Sequence, residues 1–171
     1  MTENDYLQPT IFWKRQNLSM LWAHLEEEVN EAGERVIPVM RMLGNIPDEI
    51  KKAAAMELAD VQVMCNTILK KLGYPPVKEA GQLYFCQPQR YRCETYALQL
   101  IYFFERKVYA SMQYRDFINN GSAQGEEIYH ALKYLIISAE ALMLWLMPED
   151  KDRTEIRRQV FEKNNARGYY G

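Results

Sequence analysis

The chain has 171 residues, which is enough for one domain with a sizeable core. Its 21 basic and 23 acidic residues give a formal net charge of −2, which argues against an electrostatic binder of nucleic-acid polymers. No run reaches the roughly 18 consecutive apolar residues of a membrane span, and the three cysteines lack metal-ligand spacing. We therefore expect a soluble, cytoplasmic protein.

Apolar residues recur at helical spacing, so we predict an all-α fold and a single domain over 1–171. A short helical turn follows Pro9 and Thr10. The longer helices are predicted, in chain order, over 22–42, 48–72, 91–119, 126–147 and 152–165. The first two form an antiparallel hairpin within 1–74, the next two form a second hairpin within 90–147, and 152–171 is a C-terminal helix and tail.

Acidic residues occupy one edge of each helix in the first hairpin. Gly44 in the connecting turn is the midpoint between Glu31 and Glu57, and also between Glu28 and Asp60. Because both helices rise by about 1.5 Å per residue, positions equidistant from the turn lie at equal heights. The acidic residues predicted to face one another are Glu27, Glu28, Glu31, Glu57 and Asp60.

Ionised carboxylates that share one site repel each other, at a cost of roughly 3 kcal/mol per pair at about 5 Å and an effective dielectric near 20. Cations relieve this repulsion, and an oxygen-only donor set favours Mg²⁺ or Mn²⁺. The alternative is a solvated acidic face. A di-iron bundle needs two Glu-x-x-His motifs, whereas this chain offers only Glu127 with His130, so His24 and His130 are interpreted as ordinary helix-face residues.

The second hairpin has the pattern of a degenerate repeat of the first. Residues 25–32 align with 104–111, which puts Arg106 and Lys107 where the first hairpin has acids, and Leu135 and Ser138 in place of the later pair. Amphipathic hairpins align loosely, so duplication and chance similarity both remain open.

The segment Glu27-Glu28-Val29-Asn30-Glu31, followed by Glu57-Leu58-Ala59-Asp60, resembles the EExxE…ExxD signature of the all-α nucleoside triphosphate pyrophosphohydrolases. That family includes MazG-like proteins, dCTP pyrophosphatases and dimeric dUTPases. The tail at 161–170 is similar to the Lys/Asn/Arg/Tyr segment that contacts phosphate and sugar in many members. A long helical insert between motif and tail departs from the compact members, and a second hairpin within the chain is closer to the dimeric dUTPases.

The resemblance implies Mg²⁺-dependent cleavage of a (deoxy)nucleoside triphosphate between its α- and β-phosphates. The implied metal ligands are Glu28, Glu31, Glu57 and Asp60, with Glu27 as a further ligand or the group that deprotonates the attacking water. Lys163 and Arg167 are expected to bind phosphate, Asn164 or Asn165 the sugar or phosphate, and Tyr169 or Tyr170 to close the pocket. A homodimer is compatible with the family. The alternatives are a non-catalytic helical interaction protein and a basic, frayed tail.

Base recognition is predicted to come from the N-terminal segment, which offers stacking surfaces and amide groups. The candidate residues are Phe12, Trp13, Gln16, Asn17 and Trp22. Aromatic residues at helical spacing also pack in cores, and that interpretation stays open.

Overall fold

The computed structural model describes residues 7–42, 44–77 and 125–171, and side chains from 128 onward in the last range. These ranges contain no strand and five helices: α1 (Phe12–Arg15), α2 (Leu18–Met40), α3 (Asp48–Lys71), α4 (Gly125–Leu146) and α5 (Asp150–Ala166). The predicted all-α class is thereby confirmed for this part of the chain. The predicted helix over 91–119, with Arg106 and Lys107, lies outside the described residues.

Helix α2 begins four residues before the predicted start. The side chain of Asn17 accepts a hydrogen bond from the backbone N–H of Met20 at 2.9 Å and so caps the free N-terminal end of the helix. The helix continues past Pro38 to Met40, and Gly44 then takes a φ of 92° that favours glycine. Asn17, a predicted base-recognition residue, is therefore also a helix cap.

Helix α3 is the centre of the fold and packs against each of the other four helices. Every residue from Leu58 to Leu69 is buried, so this helix is covered on all sides over about three turns. No helix in the described ranges is both long and apolar enough to cross a bilayer. Because α3 is central, Glu57 and Asp60 line a cavity together with residues from both the N-terminal and the C-terminal part of the described chain.

Buried polar residues of α3 fix the N-terminal segment. Thr67 accepts a hydrogen bond from the backbone N–H of Thr10 at 3.0 Å. Asn66 donates to the carbonyl oxygens of Leu7 and Val77, both at 2.8 Å, and accepts from the N–H of Val77 at 2.9 Å. These contacts satisfy backbone groups that burial would otherwise leave without partners, and they place α1 beside the C-terminal part of α3.

A buried ion cluster fixes α5 against α3 and α4. Glu140 on α4 is buried and pairs with Arg157 on α5, with Arg153 Nε at 3.8 Å. Gln62 on α3 donates to a Glu140 carboxylate oxygen at 3.0 Å and to the carbonyl of Ile136 at 3.2 Å. One buried carboxylate thus connects three helices and sets the position of α5.

Candidate functional site

Carboxylates from α2 and α3 meet beside a cavity of about 230 Å³. One oxygen each from Glu28, Glu31 and Glu57 lies within 4.8 Å of the other two. The predicted convergence of acids across the first hairpin is confirmed for these three side chains. The cavity is lined by Thr10, Phe12, His24, Glu28, Glu31, Glu57, Asp60, Val63, Met64, Lys163, Asn164, Arg167 and Tyr169.

Asp60 lies at the buried side of this cavity, with 8% of its surface exposed. Its Oδ2 accepts a hydrogen bond from Lys163 Nζ at 2.6 Å, and its Oδ1 accepts one from Asn164 Nδ2 at 3.2 Å. Burial raises the pKa of Asp60, although the adjacent Lys163 ammonium acts in the opposite direction. Both oxygens of Asp60 are therefore engaged by α5, in contrast to the three glutamates.

The surroundings of Glu57 disfavour the ionised form of its carboxyl group. Partial burial raises its pKa, and the negative charges of Asp60 and Glu31 raise it further. Because burial and nearby negative charges disfavour the ionised form of Glu57, a bound cation would stabilise that form.

His24 is a site residue that the sequence interpretation missed. Its Nε2 lies 3.3 Å from Oε1 of Glu28, one helical turn further along α2, and this hydrogen bond raises the pKa of His24. The Phe12 ring packs against the imidazole, with 5.3 Å between ring centroids. The spacing of four residues between His24 and Glu28 is the sequence signal that could have identified this contact. His24 orients one carboxylate of the cluster.

The C-terminal tail closes one wall of the cavity. Gly168, at a φ of 76°, follows the end of α5, and the N–H of Tyr169 bonds to the carbonyl of Asn164 at 3.0 Å in a Schellman arrangement. The chain then turns so that the carbonyl of Tyr169 accepts from the N–H of Ile11 at 2.6 Å. The Tyr169 ring contacts Phe12 with a centroid separation of 4.7 Å. The two ends of the described chain thus meet at the site.

Several predicted residues lie elsewhere. Trp22 is fully buried in the core on the same face as Leu21 and Leu25, and neither it nor Gln16 lines the cavity. Glu27 is exposed and is also not a lining residue. The remaining candidates outside the lining are Trp13, whose ring contacts Lys14 and Lys70, the cap residue Asn17, the exposed Asn165, and Tyr170.

Tyr170 is not a lining residue of the cavity, and its ring stacks on Phe161 with a centroid separation of 4.7 Å. Burial raises the pKa of its hydroxyl to about 12. Of the two C-terminal tyrosines, Tyr169 is the one that lines the cavity.

The donor set fits a hard divalent cation. An octahedral ion with ligands at about 2.1 Å holds neighbouring oxygens about 3.0 Å apart and opposite oxygens about 4.2 Å apart, so binding requires the three glutamate oxygens to move closer together by up to about 1 Å each. Carboxylate oxygens are the ligands that Mg²⁺ and Mn²⁺ prefer, and the described lining supplies no cysteine. Glu28, Glu31 and Glu57 are the residues that could hold such an ion.

Lys163 and Arg167 extend from α5 and its C-terminal end into the same cavity. The described part of the chain is thus all-helical, and one cavity is lined by both an acidic cluster and cationic side chains. Comparison with family models, curated proteins and solved structures found no match to this chain.

Proposed function

We propose that this protein is a Mg²⁺-dependent pyrophosphohydrolase of nucleoside triphosphates or deoxynucleoside triphosphates. The observation that carries the proposal is the convergence of three glutamate oxygens within 4.8 Å of one another, in a cavity that Lys163 and Arg167 also line. Polyphosphates are usually bound and hydrolysed together with a divalent cation. A site that offers carboxylates for the cation and cationic side chains for the phosphates therefore suits such a substrate. The resemblance to the EExxE…ExxD signature supports the same reaction.

Each lining residue has a distinct task in this proposal. Glu28, Glu31 and Glu57 hold the ion, and His24 keeps the Glu28 carboxylate oriented toward it. When bound, Mg²⁺ neutralises phosphate charge and lowers the pKa of water, so that hydroxide is accessible near neutral pH. Lys163 and Arg167 bind phosphate oxygens, while Asn164 and Tyr169 shape the wall of the pocket near the sugar.

The reaction is a hydrolysis with no redox change. A water oxygen forms a bond to the α-phosphorus, and the bond from that phosphorus to the oxygen bridging the α- and β-phosphates breaks. The bridging oxygen leaves on pyrophosphate, and the protons of the attacking water are released to solvent. The products are a nucleoside monophosphate and pyrophosphate. The positive charge of Lys163 and Arg167 favours departure of the anionic leaving group.

A panel of ribo- and deoxynucleoside triphosphates, incubated with Mg²⁺ or Mn²⁺, tests this proposal. We expect at least one triphosphate to give its monophosphate, and EDTA to stop the reaction. Glu28→Gln should abolish turnover. The matched control is Glu34→Gln, which changes an exposed glutamate of the same helix outside the cavity lining. No monophosphate from any substrate with either metal would favour a non-catalytic helical interaction protein instead.

A further inference from the structure

The four acids of the cavity are not equivalent. Both carboxylate oxygens of Asp60 accept hydrogen bonds from α5, one from Lys163 at 2.6 Å and one from Asn164 at 3.2 Å. The glutamates, by contrast, converge on one another. The structure therefore separates a trio of glutamates from an aspartate that is already paired with an ammonium group.

The charges of the lining side chains lead to the same division. The lining contains four carboxylates, one lysine and one arginine, so the formal charge of these six side chains is −2. One divalent cation balances the charge of these six side chains. A second divalent cation in the free protein would leave the cavity positively charged next to the partly buried ion pair of Lys163 and Asp60, which is unfavourable because burial weakens solvent screening.

We propose that the free protein holds one divalent ion between Glu28, Glu31 and Glu57, and that the Lys163 ammonium occupies the position of a second cation at Asp60. This inference rests on the proposed function, because it concerns the ion of the same site. An ion that bound to Asp60 would compete with a charge-assisted hydrogen bond at each of its oxygens and would lie close to the Lys163 ammonium. Asp60 is thus a positioning residue for Lys163 in the free protein and is not a ligand of the resident ion. Any second ion enters together with the phosphates of the substrate.

Counting bound Mn²⁺ in the absence of nucleotide tests this inference without relying on activity. Calorimetric titration and the loss of the free Mn²⁺ electron paramagnetic resonance signal both give ions per chain. We expect one ion in the wild-type protein, one in Asp60→Asn, and two in Lys163→Met, in which Asp60 has lost its ammonium partner. Lys151→Met, an exposed lysine at the other end of α5, should remain at one.

The double variant with Asp60→Asn and Lys163→Met removes the whole ion pair and should return to one ion. Stoichiometry is the decisive readout, because loss of any nearby positive charge raises cation affinity. Two or more ions in the wild type would overturn the inference and leave the proposed hydrolase intact, as would loss of all binding in Asp60→Asn. One ion in correctly folded Lys163→Met also contradicts it. If that variant does not fold, the wild type and Asp60→Asn still decide the question. No binding in the wild type would contradict the proposed function itself.

Discussion

Lys163 donates a 2.6 Å hydrogen bond to Asp60 across a separation of 103 residues. This contact joins the last turn of α5 to the middle of the central helix, at the edge of the glutamate cluster. A lysine that reaches a buried carboxylate restricts the helix that carries it. The same contact positions Asn164, Arg167 and Tyr169, which follow in the chain and line the cavity. The acidic site and the cationic tail are therefore one structural unit.

Replacing Glu57 by a neutral residue should stabilise the metal-free protein and weaken its binding of the metal ion. Glu57→Gln removes a carboxylate whose pKa is raised by burial and by the charges of Asp60 and Glu31, so the free energy of unfolding of the metal-free protein should increase. For the wild type, Mg²⁺ at about 100 times its Kd should add about 2.7 kcal/mol, or about 5 to 10 °C in Tm. Thermal unfolding with EDTA and with Mg²⁺ measures both effects. An unchanged Mg²⁺ shift in Glu57→Gln would exclude this glutamate as a ligand.

The free energy of unfolding of the metal-free protein should fall as the pH rises through the titration of Glu57 and Asp60. Most paired carboxylates have the opposite effect. Glu57 and Asp60 have folded-state pKa values raised above their ordinary values of 4.5 and 3.8. The folded state therefore favours their protonated forms, so their contribution is present below those ordinary values and is lost as the pH rises through the raised ones. Denaturant unfolding across this window, with EDTA, should show the decline.

The combined variant Glu57→Gln and Asp60→Asn is the control for this pH effect. It lacks both titrating groups, so the decline should flatten. A slope that persists in this variant would assign the effect to other groups.

Breaking the buried ion cluster should cost far more than breaking an exposed ion pair. Glu140→Gln leaves Arg153 and Arg157 without their buried counterion, and we expect a loss of about 3 to 5 kcal/mol. Glu155→Gln breaks the exposed pair with Arg158 on the same helix and should leave the free energy of unfolding nearly unchanged, because solvent screens exposed charges. Urea unfolding of the two variants provides the comparison. Equal losses would show that Glu140 does not hold α5 in place.

Glu27 and Glu28 are adjacent in sequence but differ in position. Glu28 lines the cavity, whereas Glu27 is exposed and does not. Glu28→Gln should reduce kcat/KM by at least about 100-fold, since even residues behind metal ligands contribute about 10- to 100-fold. Glu27→Gln should stay within a few-fold of wild type. Steady-state kinetics on the best substrate of the panel measures both, and a large loss in Glu27→Gln would assign that residue to proton transfer or metal binding.

The central hairpin was predictable because its signals are local. Helical periodicity, Gly44 and Pro47 placed α2 and α3 to within a few residues of their observed bounds, although the Asn17 cap moved the start of α2. Equal distance from the turn also placed the glutamates of the two helices opposite each other. Both inferences use only the constant rise of a helix.

Other features depend on contacts between distant segments, which periodicity does not encode. An indole side chain suits both stacking and a core, and only the packing against α3 decides that Trp22 is buried. Glu140 lies among apolar residues in the C-terminal half of α4, and nothing near it in sequence identifies Gln62 as a neighbour. The Lys163 contact with Asp60 likewise requires the position of α5. These are long-range pairings.

The most direct test of the proposed reaction is phosphorus NMR of the products. The wild-type protein, with Mg²⁺ and the triphosphate that gives most monophosphate, should produce pyrophosphate in equal amount to the monophosphate. In water enriched in ¹⁸O, the label should appear on the monophosphate, because the attack is at the α-phosphorus. Glu28→Gln should give neither product, and Glu34→Gln should match the wild type. Release of orthophosphate with a nucleoside diphosphate, or label in the pyrophosphate, would contradict cleavage between the α- and β-phosphates at this site.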